Sequence, residues 1–546
     1  MSKERDEQFD PDEELTTEYL LKLFGGAPFD DGLEESDFDE EELSEREKEE
    51  RERLANTDWR AEADLVYEEL MSRVGESQPE PRLAPTRRAC ELLGDIHEAW
   101  PMIHITGTNG KSSTARLTES LLRAHGLRTG LLTSPHLTRI NERIGIDGKP
   151  ITDERLVANW RDIEPFLDIV DKELEAAGEP RLTFFEALTV LAYACFTDAP
   201  VDVAVVEVGM GGEWDSTNVA DGAVSVFTPI SLDHQDRLGD TVAEIASTKA
   251  GIIKPSAAVV TAAQVPEVMD QLRRAAQLQE ATLYAEPEKF AVTADHMAVG
   301  GRLVSVRGLA AQYDDLPVAL AGEYQAHNAA LAIAAVEAFF GGERPLDYDT
   351  VAAGTAGAVS PGRLDLIGID PSVIIDAAHN PHGAAHLAQA MGETYNFDEL
   401  IVVLGVLEGK AVDGIVKPLA QIADRLIITE SDSPRAIAAW DLAEQVREII
   451  GEQLAIDKRL EVIERSQDAF DVARREATDT AVVADREGRP YSVGVLITGS
   501  ITLVGEAAAI ALEDDWKPQV QAAEAELSDE EYESYVDDEG FPEDDE

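Results

Sequence analysis

The sequence predicts an α/β protein. A P-loop mononucleotide-binding domain with a mostly parallel sheet is followed by a smaller Rossmann-like α/β domain, with an acidic, disordered segment at each end. Three observations predict it. From Met102 onward, apolar runs alternate with helical patterns, the order that gives parallel strands joined by crossover helices. The alternation gives way to a Gly-, Ala- and Pro-rich stretch at 341–361, then resumes with Val373-Ile-Ile-Asp376. The first strong apolar run, Met102-Ile-His-Ile-Thr106, leads straight into Gly107-Thr108-Asn109-Gly110-Lys111-Ser112.

Strand, tight loop and helix together form a phosphate cradle. Glycines let backbone N–H groups approach an anion, and the helix N-terminus adds positive potential. Lys111 is placed for the outer phosphates and Ser112 for a metal ion. Ile105 stands where the full P-loop pattern has its first glycine.

Length and composition set the frame. The chain has 546 residues, enough for two or more domains. We expect an acidic extension at 1–57, a phosphate-binding α/β domain at 58–355, a second α/β domain at 356–512 and an acidic tail at 513–546. The formal net charge is −63, about half of it in the two tails. Such a chain repels nucleic acid and anionic lipid, so neither is expected as a partner. No segment is long and apolar enough to span a membrane, and Met1-Ser-Lys-Glu-Arg-Asp6 lacks an apolar signal region. Cys90 and Cys195 cannot build a disulfide framework or a CxxC metal site. A cytoplasmic monomer is expected.

In chain order, Leu65, Tyr67, Leu70 and Met71 suggest the first amphipathic helix, and Thr86–Leu93 a second. After the loop come a helix at Thr114–His125, a strand at Leu127–Thr133, and helices at Glu154–Ala176 and Phe184–Phe196. Val201–Val208 and Ala223–Thr228 read as buried strands. Ser134, Glu207 and His234 therefore fall at or just beyond three strand ends, with the Gly-Lys loop at a fourth. Ligands of open α/β sheets bind along that edge. Oxygens of Ser134 and Glu207 suit Mg²⁺, whereas an imidazole is a less typical ligand for it. Short β-like pieces at 283–320, an Ala-rich helix at Ala326–Phe340 and a hinge at 341–361 complete the first domain. In the second, Leu400–Gly405, Arg425–Thr429 and Val493–Thr498 join 373–376 as strands. Asp376-Ala-Ala-His379-Asn380-Pro-His382-Gly383 opens a helix, where Asp376 can accept ribose hydroxyls or the segment can simply cap.

These motifs resemble folylpolyglutamate synthase/dihydrofolate synthase, within the wider Mur ligase group. The matching pieces are Gly107–Ser112, Ser134-Pro-His-Leu137, Thr183-Phe-Phe-Glu186, Glu207-Val-Gly-Met-Gly-Gly212, Leu232-Asp-His234, Lys249-Ala-Gly-Ile-Ile-Lys254, Gly362-Arg-Leu364 and Asp376–Gly383. The resemblance implies that Thr108, Asn109, Gly110, Lys111 and Ser112 hold ATP phosphates, with Asn328, Arg363 and Asp376 binding the rest of ATP. It implies that Ser112, Ser134, Glu207, His234 and a carbamylated Lys249 bind Mg²⁺, two ions in all. Lys111, His234, Lys249, Asp376 and His379 are the implied catalytic set. Thr183, Phe184, Phe185, Glu186, Trp214, Asp215 and Ser216 would line the pterin site. The implied reaction joins L-glutamate to dihydropteroate or to a folate γ-carboxylate through an acyl phosphate. Two departures stand out: Glu213-Trp214 follows the Gly-Gly pair where the family has Arg-Leu, and Val406-Leu-Glu-Gly-Lys410 replaces a usual Asp-Lys-Asp. Lys410 is the candidate for the glutamate site. The competing readings are a Mur-type ligase acting on another carboxylate and a non-catalytic nucleotide-binding scaffold.

Overall fold

The computed structural model describes residues 57–76, 78–298, 300–486 and 491–516. Of the expected acidic segments, 1–56 and 517–546 lie outside them.

The first lobe is an eight-stranded sheet in the order β4-β3-β2-β5-β1-β6-β7-β8. Its strands are β1 (Met102–Thr106), β2 (Thr129–Leu132), β3 (Ile144–Ile146), β4 (Lys149–Pro150), β5 (Val203–Glu207), β6 (Gly222–Phe227), β7 (Ala258–Thr261) and β8 (Thr282–Ala285). All pairings from β2 to β8 are parallel, and β3 and β4 add an antiparallel edge. Every residue of β1 is buried because helices cover both sheet faces. Ile103 and Ile105 face the helices Lys111–Ala124 and Tyr324–Phe339. Met102 faces the helices Asp153–Ala177 and Phe184–Asp198. A small antiparallel sheet follows, β9 (Ala291–Ala298), β10 (Gly301–Arg307) and β11 (Gln312–Val318).

The second lobe is a six-stranded sheet, β12-β13-β17-β14-β15-β16. It comprises β12 (Asp365–Ile369), β13 (Ser372–Asp376), β14 (Glu399–Leu404), β15 (Arg425–Glu430), β16 (Glu461–Arg465) and β17 (Val493–Thr498). Only β12 runs antiparallel. No described helix is long and apolar enough to cross a membrane.

Three expectations change. The helix Trp59–Met71 buries Ala63, Val66 and Leu70, while Leu65 and Met71 are exposed. Spacing decides this: 63, 66 and 70 share one face, and 65 and 71 do not. The stretch 341–361 is not a bare hinge, because it contains the helix Tyr348–Ala356, docked on the first lobe. Ser120 Oγ donates to the Gly354 carbonyl at 2.7 Å, and a Cβ on Gly354 would meet Leu121 Cα at 2.8 Å. The connection without regular structure narrows to the residues between Ala356 and Asp365. The C-terminal helix Ile501–Glu513 runs past 512, and Trp516 beyond it is buried under Arg474.

The lobes are packed together through the loop after β2. Leu137 joins the apolar cluster of the second lobe. A Cβ on Gly362 would meet its side chain at 2.9 Å, and a Cβ on Gly505 would meet its carbonyl oxygen at 2.2 Å. Gly505 lies inside a helix, where Gly→Ala ordinarily gains ~1 kcal/mol. Here the backbone contact reverses the sign. We expect Gly505→Ala to lower unfolding stability by ~1–3 kcal/mol through overpacking, measured by urea denaturation; a stabilised variant would show that the lobes do not pack this way.

Candidate active site

Four adjacent parallel strands, β2-β5-β1-β6, deliver four groups to one sheet edge. β1 ends in the Gly-Lys loop, β2 in Ser134, β5 in Glu207, and β6 in the segment carrying Asp233 and His234. The loop has little room. Gly107, at φ 152°, would place a Cβ 1.9 Å from Thr228 Oγ1. Gly110, at φ 86° and just before the helix Lys111–Ala124, would place one 2.8 Å from Asn328 Oδ1. Only glycine accommodates both the backbone and the contact. Thr108 is occupied in fixing the loop. Its N–H donates to the Pro229 carbonyl at 3.0 Å, and its hydroxyl bonds Ser231 at 3.1 and 3.0 Å. It anchors the cradle rather than pointing into it.

Glu207 is 1% exposed. Oε1 accepts from the Ser112 hydroxyl at 3.0 Å, and Oε2 from the Ser134 N–H at 3.2 Å. Burial raises its pKa, opposed by Lys111, by those two hydrogen bonds and by Arg363. The Ser112 hydroxyl, the Glu207 carboxylate and the backbone of Ser134 thus meet at the mouth of the loop, and all three residues carry oxygens of the kind that suit a hard cation. His234 is the less committed member. Its backbone is left-handed, at φ 48°, and its ring is 3.9 Å from Asp233.

Lysines surround this point. Lys111 Nζ donates back to the Gly107 and Thr108 carbonyls at 3.3 and 3.2 Å. Lys249, on the helix Val242–Ala250, is buried, and its Nζ donates to the same Gly107 carbonyl at 2.8 Å. Burial, reinforced by Lys111, lowers its pKa to about 7, against the pull of Asp233 and Asp215. The helix is held in place by Gly212, whose Cβ would meet the Lys249 and Thr248 carbonyls at 2.7 and 2.9 Å.

The second lobe closes over this edge. Asp376, at the end of β13, is buried, and both its oxygens are satisfied by the N–H groups of Leu364 and Ala378 at 2.9 and 2.8 Å. It therefore pins the turn that carries Arg363. His379 Nδ1 lies 2.9 Å from the Ala377 carbonyl; a carbonyl only accepts, so Nδ1 carries the proton and Nε2 keeps its lone pair. Burial and Lys410 lower the His379 pKa to about 4.

Of the expected pterin residues, most serve the fold. Thr183 and Glu186 form a capping box for the helix Phe184–Asp198, and Glu186 is further held by Arg82 at 2.9 Å. Phe184 is buried. Asp215 accepts from Met210 N–H and from Thr217, and Ser216 bonds Thr189. Phe185 and Trp214 are partly exposed. Phe185 packs against Gly209, two residues beyond Glu207.

Sequence reasoning missed Asp233. Burial raises its pKa, but His234, Lys410, His379 and Lys111 outweigh burial and lower it. It is the carboxylate on which cations of both lobes converge. Its signal in the sequence is the carboxylate directly before the histidine in Leu232-Asp-His234.

Comparison with known proteins identifies the family. The Mur ligase middle domain matches residues 105–336, and the Mur ligase, glutamate ligase domain, matches 362–484. A dihydrofolate synthase/folylpolyglutamate synthase of Mycobacterium tuberculosis is 45% identical over 444 residues, 79% of this chain and 90% of that protein. One of Bacillus subtilis is 33% identical, covering 66% and 84%. Among solved structures, M. tuberculosis folylpolyglutamate synthase complexed with ADP superposes with a TM-score of 0.77 at 44% identity, over 83% of this chain and 99% of that one. E. coli FolC in complex with DHPP and ADP gives a TM-score of 0.66 at 27% identity, over 80% and 94%. The chain belongs to the dihydrofolate synthase/folylpolyglutamate synthase family of Mur ligases.

Proposed function

We propose that this protein is an ATP-dependent carbon–nitrogen ligase that joins L-glutamate to dihydropteroate, to the γ-carboxylate of a reduced folate, or to both. One observation carries the reading: Lys111, Ser112, Ser134, Glu207, His234 and Lys249 meet at one sheet edge beneath the Arg363–His379 face of the second lobe.

The substrate carboxylate attacks the γ-phosphorus of ATP and ADP leaves. The glutamate amine then attacks the acyl phosphate carbon, and inorganic phosphate departs. Two anions must approach in the first step, so positive charge fixed in advance is the main requirement. Lys111 is positioned to leave its own loop carbonyls for the outer phosphates. Ser112, Ser134 and Glu207 are the natural holders of Mg²⁺, with His234 beside them. When bound there, Mg²⁺ would neutralise charge on the phosphate oxygens as a Lewis acid. Asn328, behind Gly110, and Arg363, in the turn pinned by Asp376, would meet the nucleotide from the two lobes. His379 Nε2 offers an acceptor for an N–H of the incoming glutamate, and Lys410 a cation for its carboxylates. Phe185 and Trp214 are the ring-bearing groups left partly open for a pterin. Packed lobes keep water from the acyl phosphate.

Lys249 is suited to carbamylation. A neutral amine adds to the carbon of CO₂ and releases one proton, leaving a carbamate that is a second anionic oxygen ligand. Its lowered pKa supplies that amine near neutrality. Protonation removes the nucleophile, so CO₂ uptake is lost as pH falls through about 7.

Purified protein with ATP, Mg²⁺ and glutamate should release ADP and phosphate only when dihydropteroate or tetrahydrofolate is also supplied; ATP turnover independent of both would end the ligase reading. Lys111→Ala should lower kcat by at least ~10²-fold, the scale of a lost oxyanion contact. Enzyme stripped of CO₂ should regain activity on adding bicarbonate at pH 8 but poorly at pH 6. Lys249→Ala should be inactive and partly restored by acetate, and full activity in that variant would exclude the carbamate.

A further inference from the structure

One lobe-to-lobe contact has a direction that can be worked out atom by atom. The helix Pro381–Thr394 begins at Asn380, whose Oδ1 accepts from the Gly383 N–H at 2.8 Å. That N–H can only donate, so the orientation of the Asn380 amide is set. Its Nδ2 therefore faces the phosphate loop and donates to Asn109 Oδ1 at 3.2 Å. The Asn109 amide is fixed in turn, and its Nδ2 lies 3.0 Å from His382 Nδ1. His382 must accept there, so its proton sits on Nε2. That nitrogen lies 3.2 Å from His386 Nε2, which must be the acceptor and leaves the His386 proton on Nδ1. A single backbone N–H in the first turn of the helix thus sets two amide orientations and two imidazole tautomers.

We propose that His382 is a positioning residue for the nucleotide. It clamps Asn109, the third residue of the Gly107–Ser112 loop, when the lobes are docked, and so makes phosphate binding depend on lobe closure. This rests on reading that loop as the one that holds ATP. The Nδ1 lone pair of His382 is the one that accepts from Asn109, so a proton there would face the Asn109 NH₂ and break the clamp. The titratable group facing His382 is His386. From the helix Tyr324–Phe339 the Tyr324 ring lies edge-on to His386 at 5.9 Å, and Glu323, just before that helix, is tied to Gln389. From the loop, Lys111 is folded onto Gly107 and Thr108. Burial, then His386, lowers the His382 pKa. The clamp therefore holds at neutral pH and opens on acidification below the ordinary histidine range.

The experiment is ADP binding by calorimetry on the full chain, between pH 5 and 8. His382→Ala should raise the Kd at neutral pH by about fivefold, the worth of one neutral hydrogen bond. His382→Asn places an acceptor oxygen where Nδ1 was and does not titrate. It should restore most of the affinity and flatten the acid weakening seen in the unmutated protein. It also keeps the test open if His382→Ala does not fold. Unchanged ADP affinity in His382→Ala, or His382→Asn as weak as His382→Ala, or the same acid limb in His382→Asn as in the unmutated chain, would each overturn the clamp. Failure of the unmutated chain to bind ADP at all would instead overturn the nucleotide reading beneath it.

Discussion

The buried carboxylate of Glu207 is the constraint on which the rest of the site depends. A carboxylate withdrawn from water is costly unless donors and positive charge surround it. Here the donors come from two different strand ends, Ser112 after β1 and Ser134 after β2, and the charge comes from Lys111. β5 lies between β1 and β2 in the sheet, so Glu207 can reach both only because all three strands point the same way. An antiparallel sheet would send alternate ends to opposite edges. The chemistry of the edge and the parallel topology are one requirement.

The second lobe is coupled to this edge at two points of different character. Leu137, three residues beyond Ser134, is an apolar plug between Gly362 and Gly505. Any shift of the second lobe is therefore transmitted to the segment that caps Glu207. Glu142 stiffens that segment by accepting the N–H groups of Leu137, Thr138 and Arg139. Asn109 makes the polar contact, to Asn380 and His382. An apolar plug tolerates sliding, whereas a directional amide pair does not. Together they permit approach of the lobes and select one docked arrangement.

Much of this was legible in the sequence, for physical reasons that can be named. β1 and β5 are buried on both faces, so their residues read as apolar runs, interrupted in β1 by His104, and their polar ends, Thr106 and Glu207, mark where the strand leaves the core. The Gly107–Ser112 loop was legible because two glycines and a lysine have few other uses after a buried strand. The strand β16 (Glu461–Arg465) was not, since its residues are half exposed and charged. Nor was the helix Tyr348–Ala356, whose Gly and Ala content permits close docking and also imitates a flexible linker. Thr183-Phe-Phe-Glu186 matched the family pattern, yet its threonine and glutamate spend their hydrogen bonds on a helix cap and on Arg82. A motif shows that residues are used together; only geometry shows whether they face a ligand or one another.

Two lysine amines donate to one carbonyl, that of Gly107, at 3.3 and 2.8 Å. Two full positive charges so placed repel, and burial of Lys249 removes the water that would screen them. The arrangement is comfortable only if one amine is neutral, and the buried one is the one whose pKa falls. Desolvation alone would leave Lys249 an inert core residue. Neutrality beside Lys111, Asp233 and Asp215 does more. It makes the amine a nucleophile, and a carbamate formed there would replace repulsion toward Lys111 with attraction. The same burial that disfavours the ammonium thus favours a modification that reverses its sign.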